Sequence, residues 1–296
     1  MCGLFGWSIE SGAIPVRTFR KLSRCLAAEN DKRGGDSWGI YGISKGKEKP
    51  TIKRGMGTIG KRSAQLSNFD ILMAHTRKAS FDNPVNIQSA HPFVCGPIIG
   101  SHNGVIYNHR GLNLRHNRSF SVDSKHIFAH IEEDLDFAGL DGYGAFQWVD
   151  LADDKRIINL CKGEDGELAI AGLGTKSKQG NKSHATYGTV WSSSKKALQA
   201  ALIATGLPHF IYREYTYEIL EVKNNCLIDT NMYYKLTSST YPTNVDDHLD
   251  ASRFLDSDDY EEMVVSDEEY DDWDEGKYNM KRSRITGKTS RREKIF

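Results

Sequence analysis

The chain opens with Met1-Cys2-Gly3-Leu4-Phe5-Gly6, which places a cysteine directly behind the initiator methionine. Removal of the methionine would leave a thiol and a free α-amine on the same residue, groups that titrate near ~8.5 and ~7.7–8.0. The thiolate is the attacking form of cysteine, and a nucleophile assisted by its own amine is a known catalytic arrangement. A small buried residue would give the same pattern, so the segments that follow decide its meaning.

The glycines that flank this cysteine predict local backbone freedom. Gly3 and Gly6 lie one and four residues after Cys2. Because glycine adopts conformations closed to other residues, we expect a tight turn here and a close approach of a ligand to the backbone.

Length and composition predict a globular protein of the cytoplasm. The 296 residues are 39% apolar, which allows one large domain or two ordinary ones. No apolar run reaches ~18 residues, so no membrane-spanning helix is expected, and no secretory signal is visible. The five cysteines lie far apart and form no Cys-x-x-Cys pair, which favours a reducing compartment over a disulfide framework or a zinc ribbon.

The net charge of zero conceals a strong asymmetry towards the end of the chain. Residues 246–275 hold 15 Asp and Glu against one Arg, whereas residues 277–296 hold eight Lys and Arg against one Glu. The rest of the chain therefore carries a net charge of +7. Blocks of like charge usually stay solvated and disordered. We expect a folded domain over residues 1–242 and an acidic, then basic, disordered tail over residues 243–296.

The hydrophobic pattern of the folded part is of mixed α and β type. Helical spacing occurs over residues 15–28, 124–135 and 197–202. Strand-like runs cover residues 38–43, 71–75, 97–101, 143–149, 156–161, 167–171, 189–192 and 215–222. The polar stretch 174–183 predicts an exposed loop. Many strands with few helices favour sheets packed against helices in layers.

Two polar segments in the first third of the chain have both a plain and a chemical interpretation. The first runs from Arg33 to Gly39 as RGGDSWG, and by itself it predicts a turn before a strand. The second, His75-Thr76-Arg77-Lys78, ends an apolar strand. An arginine at such a position can offer two parallel donors to a carboxylate, or it can simply face solvent.

Two further segments share this ambiguity. Asn103-Gly104 is the commonest hairpin-turn signal, yet the Asn103 side-chain amide and the Gly104 N–H could both point at a developing oxyanion. Asp123 precedes the helix predicted over 124–135, so it could cap that helix or bind a substrate ammonium.

Taken in order along the chain, these segments resemble the class II glutamine amidotransferases, the N-terminal-nucleophile glutaminases. The resemblance covers roughly residues 2–230. It implies an α+β fold, specifically the four-layer α/β/β/α N-terminal-nucleophile hydrolase sandwich of two antiparallel sheets. It implies no metal or other cofactor.

The resemblance also implies the catalytic roles. Cys2 attacks the side-chain amide carbon of L-glutamine, and its own α-amine passes the proton to the leaving ammonia through a water. Asn103 and Gly104 hold the oxyanion. The resulting thioester is hydrolysed to glutamate.

Four more residues form the implied substrate-binding set. Arg77 pairs with the glutamine α-carboxylate and Asp123 with its α-ammonium, while His75 and Thr76 complete the set. The presence of both an arginine and an acid favours a free amino acid, because both charges of glutamine must be paired once they are buried.

The chain departs from the resemblance in ways that bear on partners. Lys125 stands where many members carry Glu, and no ammonia-accepting domain is recognisable after residue 242. The acceptor enzyme is therefore expected on another polypeptide, and nucleic acid only at the basic end of the tail. Two other functions stay open: an N-terminal-cysteine hydrolase of another amide, and a non-catalytic binding module on the same fold.

Overall fold

The structure is a computed structural model that describes residues 2–79, 86–163, 165–223, 225–236 and 238. The predicted domain boundary at residue 242 and the predicted tail over 243–296 lie outside the described residues.

The described residues contain five α-helices and fifteen β-strands. The helices are α1 Val16–Asp31, α2 Ser63–Leu66, α3 His109–Arg115, α4 Lys125–Glu132 and α5 Lys195–Thr205. The strands are β1 Gly3–Ile9, β2 Ser37–Ser44, β3 Thr51–Met56, β4 Phe69–Arg77, β5 Phe93–Cys95, β6 Ile98–Ile106, β7 Gly142–Asp150, β8 Ile158–Lys162, β9 Ala169–Leu173, β10 Lys176–Gln179, β11 Lys182–Ala185, β12 Gly188–Ser192, β13 His209–Ile211, β14 Glu218–Lys223 and β15 Cys226–Tyr233.

The strands form two antiparallel sheets. Sheet A has the order β13-β9-β12-β1-β4-β2-β3, and sheet B has the order β10-β11-β15-β14-β8-β7-β6-β5. Strand β1 lies in the middle of sheet A, between β4 and β12. All seven of its residues are buried, so the start of the chain is fixed from both sides.

Three hydrophobic clusters separate four layers, in the order helices, sheet A, sheet B, helices. Leu22 and Leu26 of α1 and Leu198 of α5 pack on one face of sheet A. Side chains such as Met73 and Val149 fill the space between the two sheets. On the far face of sheet B, helix α4 packs against the sheet. The predicted α+β sandwich of two antiparallel sheets is confirmed.

One buried glutamine connects the two sheets directly. Gln147 on β7 donates its amide N–H to the carbonyl of Ala74 at 3.0 Å and accepts the indole N–H of Trp191 at 2.8 Å. A buried polar side chain is tolerated where it is fully hydrogen-bonded. Because both partners belong to sheet A and lie opposite Phe5 and Gly6, this side chain ties the sheets together beneath the middle of β1.

The predicted helices and strands are all present, although their ends differ. Helix α4 stops at Glu132 rather than at 135, because the chain turns at Asp134, which has a positive φ of 54°. The loop predicted over 174–183 is wrong. That stretch contains the exposed strand β10 and the start of β11, which pair as a hairpin.

The turn predicted at the first glycines is also wrong, since both lie within β1. A Cβ on Gly3 would approach the Thr76 hydroxyl to 2.6 Å, and one on Gly6 would overlap the Leu72 carbonyl and the Trp191 ring. These glycines therefore permit close packing of neighbouring elements, not a turn.

Candidate active site

Cys2 lies at the entry to β1, and neighbouring segments hold it on two sides. The Lys78 backbone N–H donates to the Cys2 Sγ at 3.3 Å, just beyond the end of β4. The Arg33 Nε donates to the Cys2 carbonyl oxygen at 3.0 Å. The residue as a whole is partly exposed. The sulfur thus sits at the rim of sheet A with a backbone N–H aimed at it.

The electrostatic surroundings of this thiol are mixed. Burial raises the pKa of the Cys2 thiol above its ordinary value. The Lys78 N–H and the positive charge of Arg77 act to lower that pKa, whereas the negative charge of Asp123 acts to raise it further. Arg77 and Asp123 are therefore both close enough to Cys2 to influence its ionisation.

Arg77 and Asp123 reach this region from different parts of the fold. Arg77 is the last residue of β4 and is only 4% exposed. Asp123 lies before α4 on the sheet B side, and its Oδ2 accepts the backbone N–H of Ile106 at 2.7 Å. The alternative prediction that Asp123 caps the helix is wrong, since its carboxylate is turned towards β6.

Asn103 and Gly104 lie inside β6, opposite Ala145 and Gly144 of β7, so the alternative prediction of a hairpin turn is wrong. The Asn103 Nδ2 donates to the Ser193 Oγ at 2.8 Å. The same hydroxyl oxygen accepts the Leu4 N–H at 2.9 Å. Asn103 of sheet B is thereby linked through one side chain to β1, the strand that follows Cys2.

Gly104 occupies a position that admits no side chain. A Cβ there would overlap the Tyr143 carbonyl and approach the His102 Nε2 to 2.5 Å. The backbone of β6 therefore lies in direct contact with β7 and with the buried ring of His102. Only a glycine permits that close approach.

His75 and Thr76 point into the layers on either side of sheet A. The His75 Nε2 donates to the His102 carbonyl at 3.0 Å, and its ring lies 3.9 Å from the ring of His91. The Thr76 hydroxyl donates to the Asn30 carbonyl at the end of α1, at 2.9 Å. Both residues are fully buried, so the structure does not bring their side chains together with the Cys2 thiol.

Three contributors to this region were not among the predicted site residues. Arg33 contacts Cys2 and also pairs with Glu167 at 3.3 Å. Its RGGDSWG segment was a visible signal. Ser193 bridges Leu4 and Asn103, and it belongs to a run of three serines before α5. The Lys78 contribution comes from the backbone, which carries no sequence signal.

Within the described ranges, no group of three or more His, Cys, Asp or Glu residues is placed to hold a metal ion. No helix in the same part of the chain is long and apolar enough to cross a membrane.

Comparison with known proteins shows that other solved structures share this fold. No protein-family model matches the chain, and no curated protein sequence matches it. One similar solved structure is described as the allosteric regulatory enzyme of purine biosynthesis, with a TM-score of 0.55 and 17% identity over 80% of this chain and 50% of its own. Glutamine phosphoribosylpyrophosphate amidotransferase from B. subtilis, complexed with ADP and GMP, matches with a TM-score of 0.50 and 17% sequence identity. That match covers 77% of this chain and 48% of the other.

The chain shares the fold of these enzymes. The likeness in fold that the motifs predicted for the class II amidotransferases is confirmed. The chain spans about half the length of the two solved structures.

Proposed function

We propose that this chain is a glutaminase of the class II amidotransferase type, which hydrolyses the side-chain amide of L-glutamine at Cys2. One observation carries the proposal. The Cys2 thiol lies beside the segment that follows Arg77, the Asn103 amide of sheet B is linked through Ser193 to Leu4 of β1, and the charges of Arg77 and Asp123 both act on the thiol. A fold without this chemistry would not require that arrangement.

The proposed reaction begins when Met1 is removed and the amine of Cys2 becomes free. The amine takes the thiol proton, through a water, and the sulfur attacks the amide carbon. The carbonyl oxygen becomes an oxyanion, which the Asn103 Nδ2–H and the Gly104 N–H stabilise. Collapse breaks the carbon–nitrogen bond, the proton passes to the leaving ammonia, and water then cleaves the thioester to glutamate.

Asn103 can stabilise the oxyanion even though its side-chain amide already donates a hydrogen bond to Ser193, because the amide carries a second hydrogen. One N–H is used by the Ser193 hydroxyl, and the amide carries two. Ser193 would therefore orient the amide while the other N–H faces the substrate. Removal of one oxyanion donor typically raises the barrier by ~2.7–4 kcal/mol.

Two charged groups near the thiol support a free amino acid as the substrate. Arg77 would pair with the α-carboxylate of glutamine and Asp123 with its α-ammonium, because both charges need partners once they leave water. A simple acyl amide would leave Asp123 without a cationic partner. The buried contacts of His75 and Thr76 support a different role for those two, which is to hold β4 so that Arg77 is correctly placed.

We propose a separate ammonia-accepting enzyme as the partner of this chain. We also propose a cytoplasmic location. The observation behind it is that all five cysteines are free thiols, as in a reducing compartment.

The experiment that tests the proposal measures glutamate release by the full chain after the mass of its N-terminus has been determined. Cys2→Ala is expected to abolish the activity, whereas Cys25→Ala, which removes a thiol on α1, is the matched control and is expected to retain it. A diazoketone analogue of glutamine should add one covalent mass to Cys2. Labelling of another cysteine, a retained Met1 on fully active protein, or faster hydrolysis of a simple acyl amide would contradict the proposal.

A further inference from the structure

A positively charged groove lies at the edge of the molecule, where β10 of sheet B approaches the segment that follows β13 of sheet A. Its volume is about 230 Å³, and we call it the basic groove after Lys176, Lys178, Tyr212, Arg213 and Tyr215, which line it. This volume is below the ~300–1,000 Å³ of most small-molecule sites. It suits a few side chains of a peptide better than a whole cofactor.

Two cations of the basic groove, Lys176 and Arg213, lie over aromatic rings. The Lys176 Nζ lies 5.3 Å from the ring centre of Phe210 and 5.6 Å from that of Tyr212. The Arg213 guanidinium lies 4.0 Å above the Tyr215 ring. Such contacts between a cation and an aromatic face are attractive, so they hold the charged groups in place at the surface.

The charge of the groove is only partly neutralised. Arg213 pairs with Glu218 at 3.0 Å and with Asp229 at 3.4 Å. Lys176 and Lys178 share one face of β10, because alternate residues of a strand point the same way, and both are exposed. Among the described residues, neither lysine has an acidic partner within ion-pair distance. The groove therefore presents two ammonium groups that no carboxylate of the described residues neutralises.

Lysines on an edge strand have another known use, which is to prevent pairing with foreign strands. That use requires only charge on the edge itself. It does not explain why Lys176 lies against rings from the other sheet, or why Arg213 and the two tyrosines complete a concave surface. A built groove with a net positive charge favours an anionic occupant.

We propose that residues 246–264 of this same chain dock in the basic groove. This segment holds eight Asp and Glu against one Arg, and it includes Phe254 and Tyr260. Its carboxylates would pair with Lys176 and Lys178, while its aromatic side chains would lie against Tyr212 and Tyr215. Charge and ring chemistry are thus complementary on the two sides.

The position at which the described chain ends makes this docking possible. Asp229 of β15 lines the groove. Strand β15 pairs with β11, which forms a hairpin with β10. Residues 230–238 lead away from Asp229 over at most ~30 Å, since an extended chain spans ~3.3–3.6 Å per residue. The residues between 238 and 256 can span about twice that length, so the acidic segment can return to the groove.

Attachment of the acidic segment to the same chain also explains how weak ion pairs could hold it in the basic groove. Each exposed ion pair contributes little, and salt screens it. A segment attached to the same chain, however, is present at a high effective concentration. We therefore expect a contact that is populated at low ionic strength and that weakens as salt is added.

Zero-length cross-linking of the full chain tests the proposal. A carbodiimide activates a carboxylate, and attack by a neighbouring lysine amine forms an amide and releases the activated oxygen as a urea. Peptide mass mapping of the monomeric fraction should find links from Lys176 or Lys178 to residues 246–264. The yield of these links should fall several-fold in 0.5 M salt, by roughly the screening of exposed pairs.

Charge-reversal variants make the test specific. Lys176→Glu combined with Lys178→Glu should abolish these links. Lys45→Glu combined with Lys47→Glu, which reverses two exposed lysines after β2, is the matched control and should leave them unchanged. Adding Asp258→Lys and Asp259→Lys to the first pair should restore links with the charges exchanged.

Other outcomes would overturn the proposal. Links from residues 246–264 that spread evenly over the surface lysines would mean that the groove is not the docking site. Links that join isotopically different chains in a mixed sample would assign the groove to a second copy. Binding of a labelled single-stranded oligonucleotide that requires Lys176 and Lys178, without links to 246–264, would assign it to nucleic acid. None of these measurements depends on glutaminase activity.

Discussion

At the scale of single residues, Cys2 is the group whose surroundings have the clearest chemical consequence. Burial and the charge of Asp123 raise the pKa of its thiol, and the charge of Arg77 opposes them. Since only the thiolate attacks, the balance between these two charges adjusts how much reactive sulfur exists at a given pH, in addition to the larger effects of burial and of the Lys78 N–H.

This balance predicts opposite shifts for two substitutions in the chain that retains Met1. Asp123→Asn keeps an oxygen that can accept the Ile106 N–H but removes a negative charge, so alkylation of Cys2 should rise at lower pH. Arg77→Met removes a positive charge, so alkylation should require higher pH. The measurement is the rate of iodoacetamide labelling of the Cys2 peptide against pH. Asp153→Asn, on an exposed turn, is the control, and shifts of the same sign in both variants would refute the assignment.

The close packing around Gly104 leads to a second prediction at the residue scale. Gly104→Ala would force a methyl group into the Tyr143 carbonyl and the His102 ring, and overpacking of this kind usually costs about 1–3 kcal/mol. The free energy of unfolding in urea should fall by that amount. Gly111→Ala in α3, where a Cβ meets nothing within 4 Å, should instead stabilise the protein by up to about 1 kcal/mol. Equal effects of the two changes would show that the close approach is absent.

At the scale of elements, strands with a clear apolar run could be predicted from the sequence, whereas the exposed strand β10 and the first strand β1 could not. The runs that became β4 and β7 are apolar along most of their length, and such a run is a direct signal. Strand β10 is exposed at all four positions, so its pattern is that of a loop. Strand β1 contains two glycines that are disfavoured in strands, and only its neighbours in sheet A stabilise it there.

The candidate site could also be predicted only in part from the sequence, but for a different reason. The motifs around Cys2, Arg77 and Asn103 carry chemical side chains that stand out in a sequence. The bridge from Ser193 to Leu4 joins positions 189 apart, and the Lys78 contact uses a backbone group. Contacts of these two kinds form only when the sheets have assembled, so no local sequence pattern predicts them.

The link between the two sheets gives a prediction at the element scale. Gln147→Met keeps the bulk of the side chain but leaves the Trp191 indole N–H and the Ala74 carbonyl without their partner. A buried group left without its hydrogen bond costs about 1–3 kcal/mol. The free energy of unfolding should therefore fall by at least that amount, measured by urea denaturation. Gln199→Met, on the exposed face of α5, should change it little, and similar losses in both variants would exclude the bridge.

At the scale of the whole molecule, three histidines are enclosed within the sandwich near the candidate site. His75, His91 and His102 are each at most 3% exposed. Burial lowers the pKa of His75 to about 3 and holds those of His91 and His102 below their ordinary value. The positive charges of Arg77 and Arg54 lower the pKa of His91 further.

This cluster couples the stability of the fold to pH in a defined direction. The folded protein keeps these rings neutral, whereas the unfolded chain protonates them below a pKa of about 6.5. The stability that they provide is thus complete above that pKa and is lost as the pH falls towards their folded-state values. Each such histidine contributes a slope of up to about 1.4 kcal/mol per pH unit between those limits.

His91→Phe tests this coupling, because phenylalanine keeps a ring against His75 and Phe93 but cannot be protonated. Neither ring nitrogen of His91 has a hydrogen-bond partner among the described residues, so the change breaks no bond there. Urea denaturation at pH 7, 6 and 5 should give a shallower fall in the free energy of unfolding, by up to about 1.4 kcal/mol per pH unit. His184→Gln, on a partly exposed position of β11, should leave the slope unchanged. A slope in His91→Phe equal to that of the parent would mean that His91 is protonated in the folded state, and the neutral interior inferred for the sandwich would be wrong.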